Sequence, residues 1–142
     1  MMSPYDDRDG SIWMDGELVN WRDAKVHILT HAIHYGSSVF EGERAYGGKI
    51  FESRKHSKRL IESANYLDIP LRLSVDDIEM AKKTILETSE AKDLYVRAIV
   101  WRGSGLDMGV ASARNKVHMA VAAWEWGAYY GEAKMKGANL DI

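Results

Sequence analysis

Phe40-Glu41-Gly42-Glu43-Arg44-Ala45-Tyr46, the pair Gly47-Gly48, and Ile50-Phe51 beyond it set the architecture. Strand alternation sorts the first segment into Phe40, Gly42, Arg44 and Tyr46 on one face, with Val39, Glu41, Glu43 and Ala45 on the other. Two consecutive glycines tolerate the positive φ angles of a two-residue turn, so the chain is expected to double back there. The same signature lies upstream, where Ile12-Trp13-Met14, Asp15-Gly16 and Glu17-Leu18-Val19 read as a hairpin.

Downstream the periodicity changes. From about Lys55 to Leu67, the residues Leu60, Ile61, Ala64 and Leu67 recur at helical spacing, and Pro70 stands beyond as a stop. Ser74-Val75-Asp76-Asp77 resembles a capping box with Asp in place of Glu, and Ile78, Ala81 and Ile85 follow at helical intervals. The runs Leu94 to Trp101 and Val117 to Trp124 are rich in Val, Ile, Trp and Ala and have the length of buried strands. Hairpins, two helices and then strands give an α+β fold, a mostly antiparallel sheet with two helices packed on one face. With no internal repeat and no linker, the whole span 1–142 is expected to be one domain. Ala138 to Ile142 alternates like a strand and stops without a turn or polar tail, so a truncation is expected there.

Composition narrows the function. Lys+Arg total 19 against Asp+Glu 21, and a net charge of −2 gives no general attraction to nucleic acid or to an anionic membrane. Cys 0 removes disulfides, thiolate metal sites and cysteine nucleophiles together. No apolar run is long enough to span a bilayer or to serve as a signal core, and a cytoplasmic location is expected.

Several groups could carry chemistry. In Leu94 to Trp101, alternation places Leu94, Val96, Ala98 and Val100 on a core face, and Tyr95, Arg97, Ile99 and Trp101 on the other. An arginine in an apolar strand needs a compensating anion, which is either an internal carboxylate or a ligand. Aromatic and arginine residues on two strand faces also suit a pocket for an apolar group beside a carboxylate; snorkelling arginines are the plainer alternative. His27, His31 and His34 have the spacing of a metal-binding helix, but no acid lies among them, and hydrogen-bonded scaffold near a turn fits better. The glycine-rich run Trp101 to Gly109 matches no phosphate-binding loop and reads as a mobile loop. His56-Ser57-Lys58-Arg59-Leu60 places a basic cluster at a helix start, where a phosphate could dock or the turn could simply be solvated.

Taken in order, these pieces resemble the first half of branched-chain amino-acid aminotransferases of the fold-type IV, pyridoxal-phosphate-dependent class. The markers are Trp13 to Val19, Val26-His27, His31 to Gly36, Val39 to Tyr46, His56 to Leu60, Tyr95-Val96-Arg97, Met108-Gly109-Val110 and Trp126 to Gly131. The resemblance spans nearly the whole chain. It implies the small amino-terminal domain of such an enzyme, with pyridoxal 5'-phosphate as cofactor and Arg59 as the arginine gripping its phosphate. It makes Tyr35, Phe40, Trp126 and Tyr129 an apolar substrate pocket, Tyr95 and Arg97 the carboxylate recognition, and Arg44 a residue of the pocket rim. Met108, Gly109 and Val110 resemble a loop that reaches into a neighbouring subunit's site, which implies a homodimer. The Schiff-base lysine is expected beyond Ile142 in a carboxyl-terminal domain, so that no catalytic residue lies in this chain and the chain alone is expected to be inactive.

The implied reaction exchanges an amino group between Leu, Ile or Val and 2-oxoglutarate. The chain departs from the family pattern at Ala98, where a proline often follows the Tyr-x-Arg arginine. D-amino-acid aminotransferases, (R)-amine transaminases and aminodeoxychorismate lyases share the architecture and are the alternatives within the class. A non-catalytic phosphate- or metal-binding module is the alternative outside it.

Overall fold

The structure is a computed structural model that describes residues 4–111, 113–126 and 137. Its sheet has six strands in the order β2-β1-β6-β5-β3-β4, with β1 Ser11–Met14, β2 Glu17–Asn20, β3 Ser38–Tyr46, β4 Lys49–Ile50, β5 Leu94–Arg102 and β6 Val117–Trp124. Every pairing is antiparallel. Three α-helices stand among the described residues: α1 His31–Tyr35, α2 Ser53–Tyr66 and α3 Val75–Glu87. The expected α+β class is therefore observed. The carboxyl-terminal strand reading, Ala138 to Ile142, lies outside the described residues.

Both hairpins form where the glycines placed them. Asp15 and Gly16 adopt φ of 51° and 105°, and Gly47 and Gly48 adopt 56° and 78°, all in the left-handed region that a two-residue turn of this hand requires. Asp15 does more than turn the chain. Its backbone N–H donates to the Met119 carbonyl at 3.0 Å, and its Oδ1 accepts from the Met119 N–H at 2.9 Å, which fastens the β1–β2 turn to β6.

Helix α2 begins at Ser53, two residues before the sequence pattern suggested, because Glu52 takes a left-handed φ of 52° and turns the chain out of β4. It ends at Tyr66, and Asp68 then takes a φ of 52°, so the helix has stopped before Pro70 is reached. Helix α3 opens on the expected capping box: Ser74 Oγ accepts from the Asp77 N–H at 3.2 Å, and Asp77 Oδ2 accepts from the Ser74 N–H at 2.8 Å. Each helix buries one stripe. Ser57, Leu60 and Ala64 of α2, with Ile78, Ala81, Lys82 and Ile85 of α3, lie against one face of the sheet.

That face of the sheet supplies Ala45, Leu94, Val96, Ala98, Val100, Met119 and Val121, all buried. Fully burying a side chain such as Leu60, Ile78 or Ile85 stabilises the fold by about 1.5–3 kcal/mol relative to exposure. Among the described residues the opposite face carries no long helix, and Tyr95, Arg97 and Ile99 on it stay half-buried. The uncovered face and its rim are where a ligand can reach the sheet.

Candidate active site

The β3 strand runs against ordinary patterning. Glu41, Glu43 and Ala45 are buried beneath the helices, whereas Phe40, Gly42 and Tyr46 are exposed on the open face. Water would ordinarily take the acids and the core the aromatics. Phe40 is 55% exposed, so its ring is available to something other than this core.

Register brings β5 alongside, with Phe40 opposite Ile99, Gly42 opposite Arg97 and Arg44 opposite Tyr95. Residues paired in this way share a face, so the open side collects an aromatic and cationic cluster. The Arg97 guanidinium carbon sits 4.2 Å from the Phe40 ring centroid and 5.3 Å from that of Tyr95. Arg97 Nη2 donates to the Tyr95 hydroxyl at 2.7 Å, while Nε is buried without a hydrogen-bond partner among the described residues. No carboxylate pairs with Arg97 among those residues.

The cluster continues outward. Arg44 Nη1 donates to the Trp126 carbonyl at 2.8 Å, and the Trp126 ring packs on Tyr95 at 4.7 Å between centroids, edge to face. Trp124 packs on Tyr95 from β6 at 4.8 Å. The sequence reading missed Trp124, although alternation from the register pair Tyr95 and Trp124 puts both on the open face. Beside the cluster, Ile12, Met14, Ile99, Trp101 and Ala122 line an apolar groove of about 390 Å³ that also takes in Arg97. Tyr129 lies outside the described residues.

Glycine at position 42 is a requirement of this arrangement, since a Cβ there would overlap the Tyr95 hydroxyl. Tyr95 is wedged between Trp124 and Trp126 and has little room to retreat. Gly42→Ala is expected to cost about 1–3 kcal/mol of stability through this overpacking, read from urea denaturation. Unchanged stability would show that the ring gives way freely.

Tyr35 belongs to a second cluster. At the end of α1 its hydroxyl donates to the Met108 carbonyl at 2.7 Å, and His31, 2% exposed, places Nε2 3.1 Å from the Gly109 carbonyl. Met108 and Val110 are themselves exposed. The histidines do not share one helix face, because His27 precedes α1; His31 and His34 instead bond to Ser37 Oγ and to the Ile28 carbonyl. The run Trp101 to Gly109, expected to be a mobile loop, begins as the end of β5 and from Gly103 on is held by side chains from elsewhere in the fold.

Arg59 stands apart from both clusters. The early start of α2 puts it in the second turn, away from the free N–H groups of the helix end, so the helix-start explanation of the basic cluster does not hold. It forms a bidentate pair with Glu41 on the helix-bearing side of β3: Nε to Oε1 at 2.7 Å and Nη2 to Oε2 at 2.6 Å. His56 Nδ1 lies 2.7 Å from the same Oε2, and since a carboxylate only accepts, that nitrogen carries the proton. The Arg59 side chain remains 62% exposed, and Nη1 has no partner among the described residues. One edge of the guanidinium fork is engaged and the other faces outward.

Below Glu41, the sequence reading overlooked a buried network. Lys82 Nζ donates to Glu43 Oε2 at 2.7 Å and to Ser57 Oγ at 2.8 Å, with Glu79 Oε1 at 3.4 Å. Burial keeps the Glu43 carboxyl above the usual glutamate range in spite of Lys82. Burial also pushes Glu41 up, but hydrogen bonds from Arg59 and His56 outweigh it and leave Glu41 below that range. Glu79 behaves likewise, with burial outweighed by Ser57, Ser53 and Lys82.

The signs give a pH prediction. Glu41 and Glu79, lowered in the fold, contribute stability present above about pH 4.3 and lost as the pH falls through their folded values. Glu43, raised, acts oppositely, gaining as the pH falls through its folded value. Asp77, lowered by its bonds to Ser74, adds to the same loss, and the change for Glu43 lies above the ordinary glutamate value, so the urea midpoint is expected to fall below about pH 4, and Glu41→Gln should soften that fall. A midpoint that stays level to about pH 3 would contradict the assignment.

Comparison with known proteins bears on these clusters. The family model described as amino-transferase class IV matches residues 38–140. A branched-chain-amino-acid aminotransferase of Pseudomonas aeruginosa is 45% identical over 134 residues, covering 92% of this chain and 43% of that protein. The crystal structure of the Escherichia coli branched-chain amino acid aminotransferase superposes with a TM-score of 0.82 at 37% identity, over 89% of this chain and 43% of that one. The T.th. branched-chain amino acid aminotransferase complexed with N-(5'-phosphopyridoxyl)-L-glutamate superposes at 0.79 with 38% identity, over 86% and 42%. The chain thus spans less than half the length of these relatives.

Proposed function

The chain belongs to the class IV amino-transferase family, and from that premise we propose that it forms the small domain of a pyridoxal-phosphate-dependent branched-chain amino-acid aminotransferase. The reaction exchanges an amino group between Leu, Ile or Val and 2-oxoglutarate. The observation that carries this reading is the inverted β3 strand, with exposed Phe40 beneath an Arg97 that has no carboxylate among the described residues. An apolar ring beside a guanidinium suits an aliphatic side chain next to an acid group.

The residues fit the cofactor. Arg59 offers the outer edge of its fork to a phosphate while Glu41 holds the inner edge, which fixes the side chain's direction before the anion arrives. Bound pyridoxal phosphate supplies the electron sink that makes the amino acid's α-proton removable. The residues of this chain bind and orient. Arg97 and Tyr95 take a substrate carboxylate, Phe40 and Trp126 exclude water from the aliphatic group, and Arg44 fixes Trp126 through its carbonyl. The lysine that holds the cofactor and moves the α-proton belongs to a second domain beyond Ile142.

Tyr35 bonds to the Met108 loop and not to the Phe40–Arg97 cluster. Such a division is expected of a homodimer in which the Tyr35, Met108 and Val110 cluster of one subunit completes the site of the other. The cytoplasm is the proposed compartment, where a chain with Cys 0 is at no disadvantage; among the described residues, no helix is long and apolar enough to cross a membrane.

The test is amino transfer by the full-length protein loaded with pyridoxal phosphate, following glutamate formed from 2-oxoglutarate with leucine, isoleucine, valine, D-alanine or an (R)-amine as donor. Transfer from the three branched-chain donors is expected. Transfer only from D-alanine or the (R)-amine would overturn the substrate assignment, and none from any donor would overturn the activity.

A further inference from the structure

Three consecutive backbone carbonyls, those of Asp107, Met108 and Gly109, are each bound by a side chain from elsewhere in the fold. Asn115 Nδ2 donates to Asp107 at 3.2 Å, the Tyr35 hydroxyl to Met108 at 2.7 Å, and His31 Nε2 to Gly109 at 3.1 Å. Asn115 Nδ2 also donates to the Gly103 carbonyl at 3.2 Å, closing the base of the loop. Within the loop, Asp107 Oδ1 accepts the Gly109 N–H at 2.7 Å, a local turn that sets the spacing of the three anchored carbonyls.

The anchors are themselves fixed. His31 is 2% and Asn115 4% exposed. A carbonyl only accepts, so His31 donates to it from Nε2, and its Nδ1 lies 2.7 Å from the Ser37 hydroxyl. Asn115 Oδ1 is buried without a hydrogen-bond partner among the described residues and is pressed against Gly105, where any Cβ would overlap it. Leaving a buried acceptor in that state costs free energy, so the amide is held by the two bonds its nitrogen makes. With its carbonyl edge tied down, the loop presents Met108, 37% exposed, and Val110, 76% exposed, away from its anchors.

We propose that His31 and Asn115 are positioning residues for substrate selection: acting through the loop backbone, they fix where Met108 and Val110 meet an aliphatic substrate side chain. This rests on the aminotransferase reading above. A short donor such as alanine barely reaches that wall, whereas leucine fills it, so loosening the loop should penalise leucine selectively.

The experiment combines hydrogen exchange and kinetics on the full-length holoenzyme, using Asn115→Asp, His31→Ala, His31→Gln and Tyr35→Phe. Asn115→Asp and His31→Ala should raise exchange at residues 104–110 about tenfold, the equivalent of one hydrogen bond, with strand β5 unchanged. They should also raise the KM for leucine about tenfold more than that for alanine. His31→Gln keeps an N–H donor and should restore much of both. Tyr35→Phe removes one hydroxyl from a residue 44% exposed and tests the same loop if a buried variant fails to fold. Unchanged loop exchange, an equal rise throughout β5, or an unchanged leucine-to-alanine KM ratio would each overturn the proposal. Those outcomes leave the aminotransferase reading standing; only absence of amino transfer by the unsubstituted protein removes it.

Discussion

Lys82→Met is expected to destabilise the protein by about 3–5 kcal/mol, a large part of the roughly 5–15 kcal/mol that holds a typical domain folded. Lys82 and Glu43 are each 1% exposed, and the ammonium is the only cation within hydrogen-bonding distance of Glu43 among the described residues. Removing it leaves a buried carboxylate whose Oε1 already lacks a partner. The Glu43 carboxyl, held above the usual range even with Lys82 present, would take up a proton more readily still, so the defect should shrink as the pH falls. Replacing both partners, as Lys82→Met with Glu43→Leu, should recover most of the loss, because an apolar pair of similar volume carries no desolvation penalty. Urea denaturation at neutral and mildly acidic pH measures all of this. A single variant within about 1 kcal/mol of the parent would mean that water reaches the pair.

The second large effect concerns the proposed cofactor. In the full-length protein, Arg59→Ala should weaken pyridoxal phosphate binding roughly 10- to 100-fold, the equivalent of one or two hydrogen bonds to a charged group. Pyridoxal, which lacks the phosphate, should bind the parent and the variant equally. Arg59→Lys should recover only part of the loss, since an ammonium cannot hold Glu41 with one edge and a phosphate with the other. Titration by absorbance gives both affinities. An equal loss for pyridoxal and its phosphate would mean that Arg59 supports the fold and does not hold the anion.

Local chemistry explains what could be read from the sequence. Asp15-Gly16 and Gly47-Gly48 specify their turns through backbone φ alone, Ser74 to Asp77 caps its helix within four residues, and the parity of β5 follows from its own pattern. The same parity puts Glu41 and Glu43 beside Val39 and Ala45, and that is the available sign of buried acids in need of cations. Their partners could not be read, because Lys82 is 39 residues from Glu43 and occupies what looks like one position in the apolar stripe of α3. Arg59 reads as a helix-start residue because nothing in the sequence announces that Glu52 takes the left-handed conformation and begins α2 early. The Tyr35 anchor on Met108 spans 73 residues and is set by the path of the chain, not by any motif.

The placement of the cofactor and substrate on this chain is tested most directly by a crystal structure of the full-length protein with N-(5'-phosphopyridoxyl)-L-leucine. The Arg59 fork is expected on the phosphate, with Glu41 still on its other edge, and the leucine side chain against Phe40 on the Arg97 face. A phosphate held without Arg59, or a leucine group remote from Phe40 and Arg97, would contradict it.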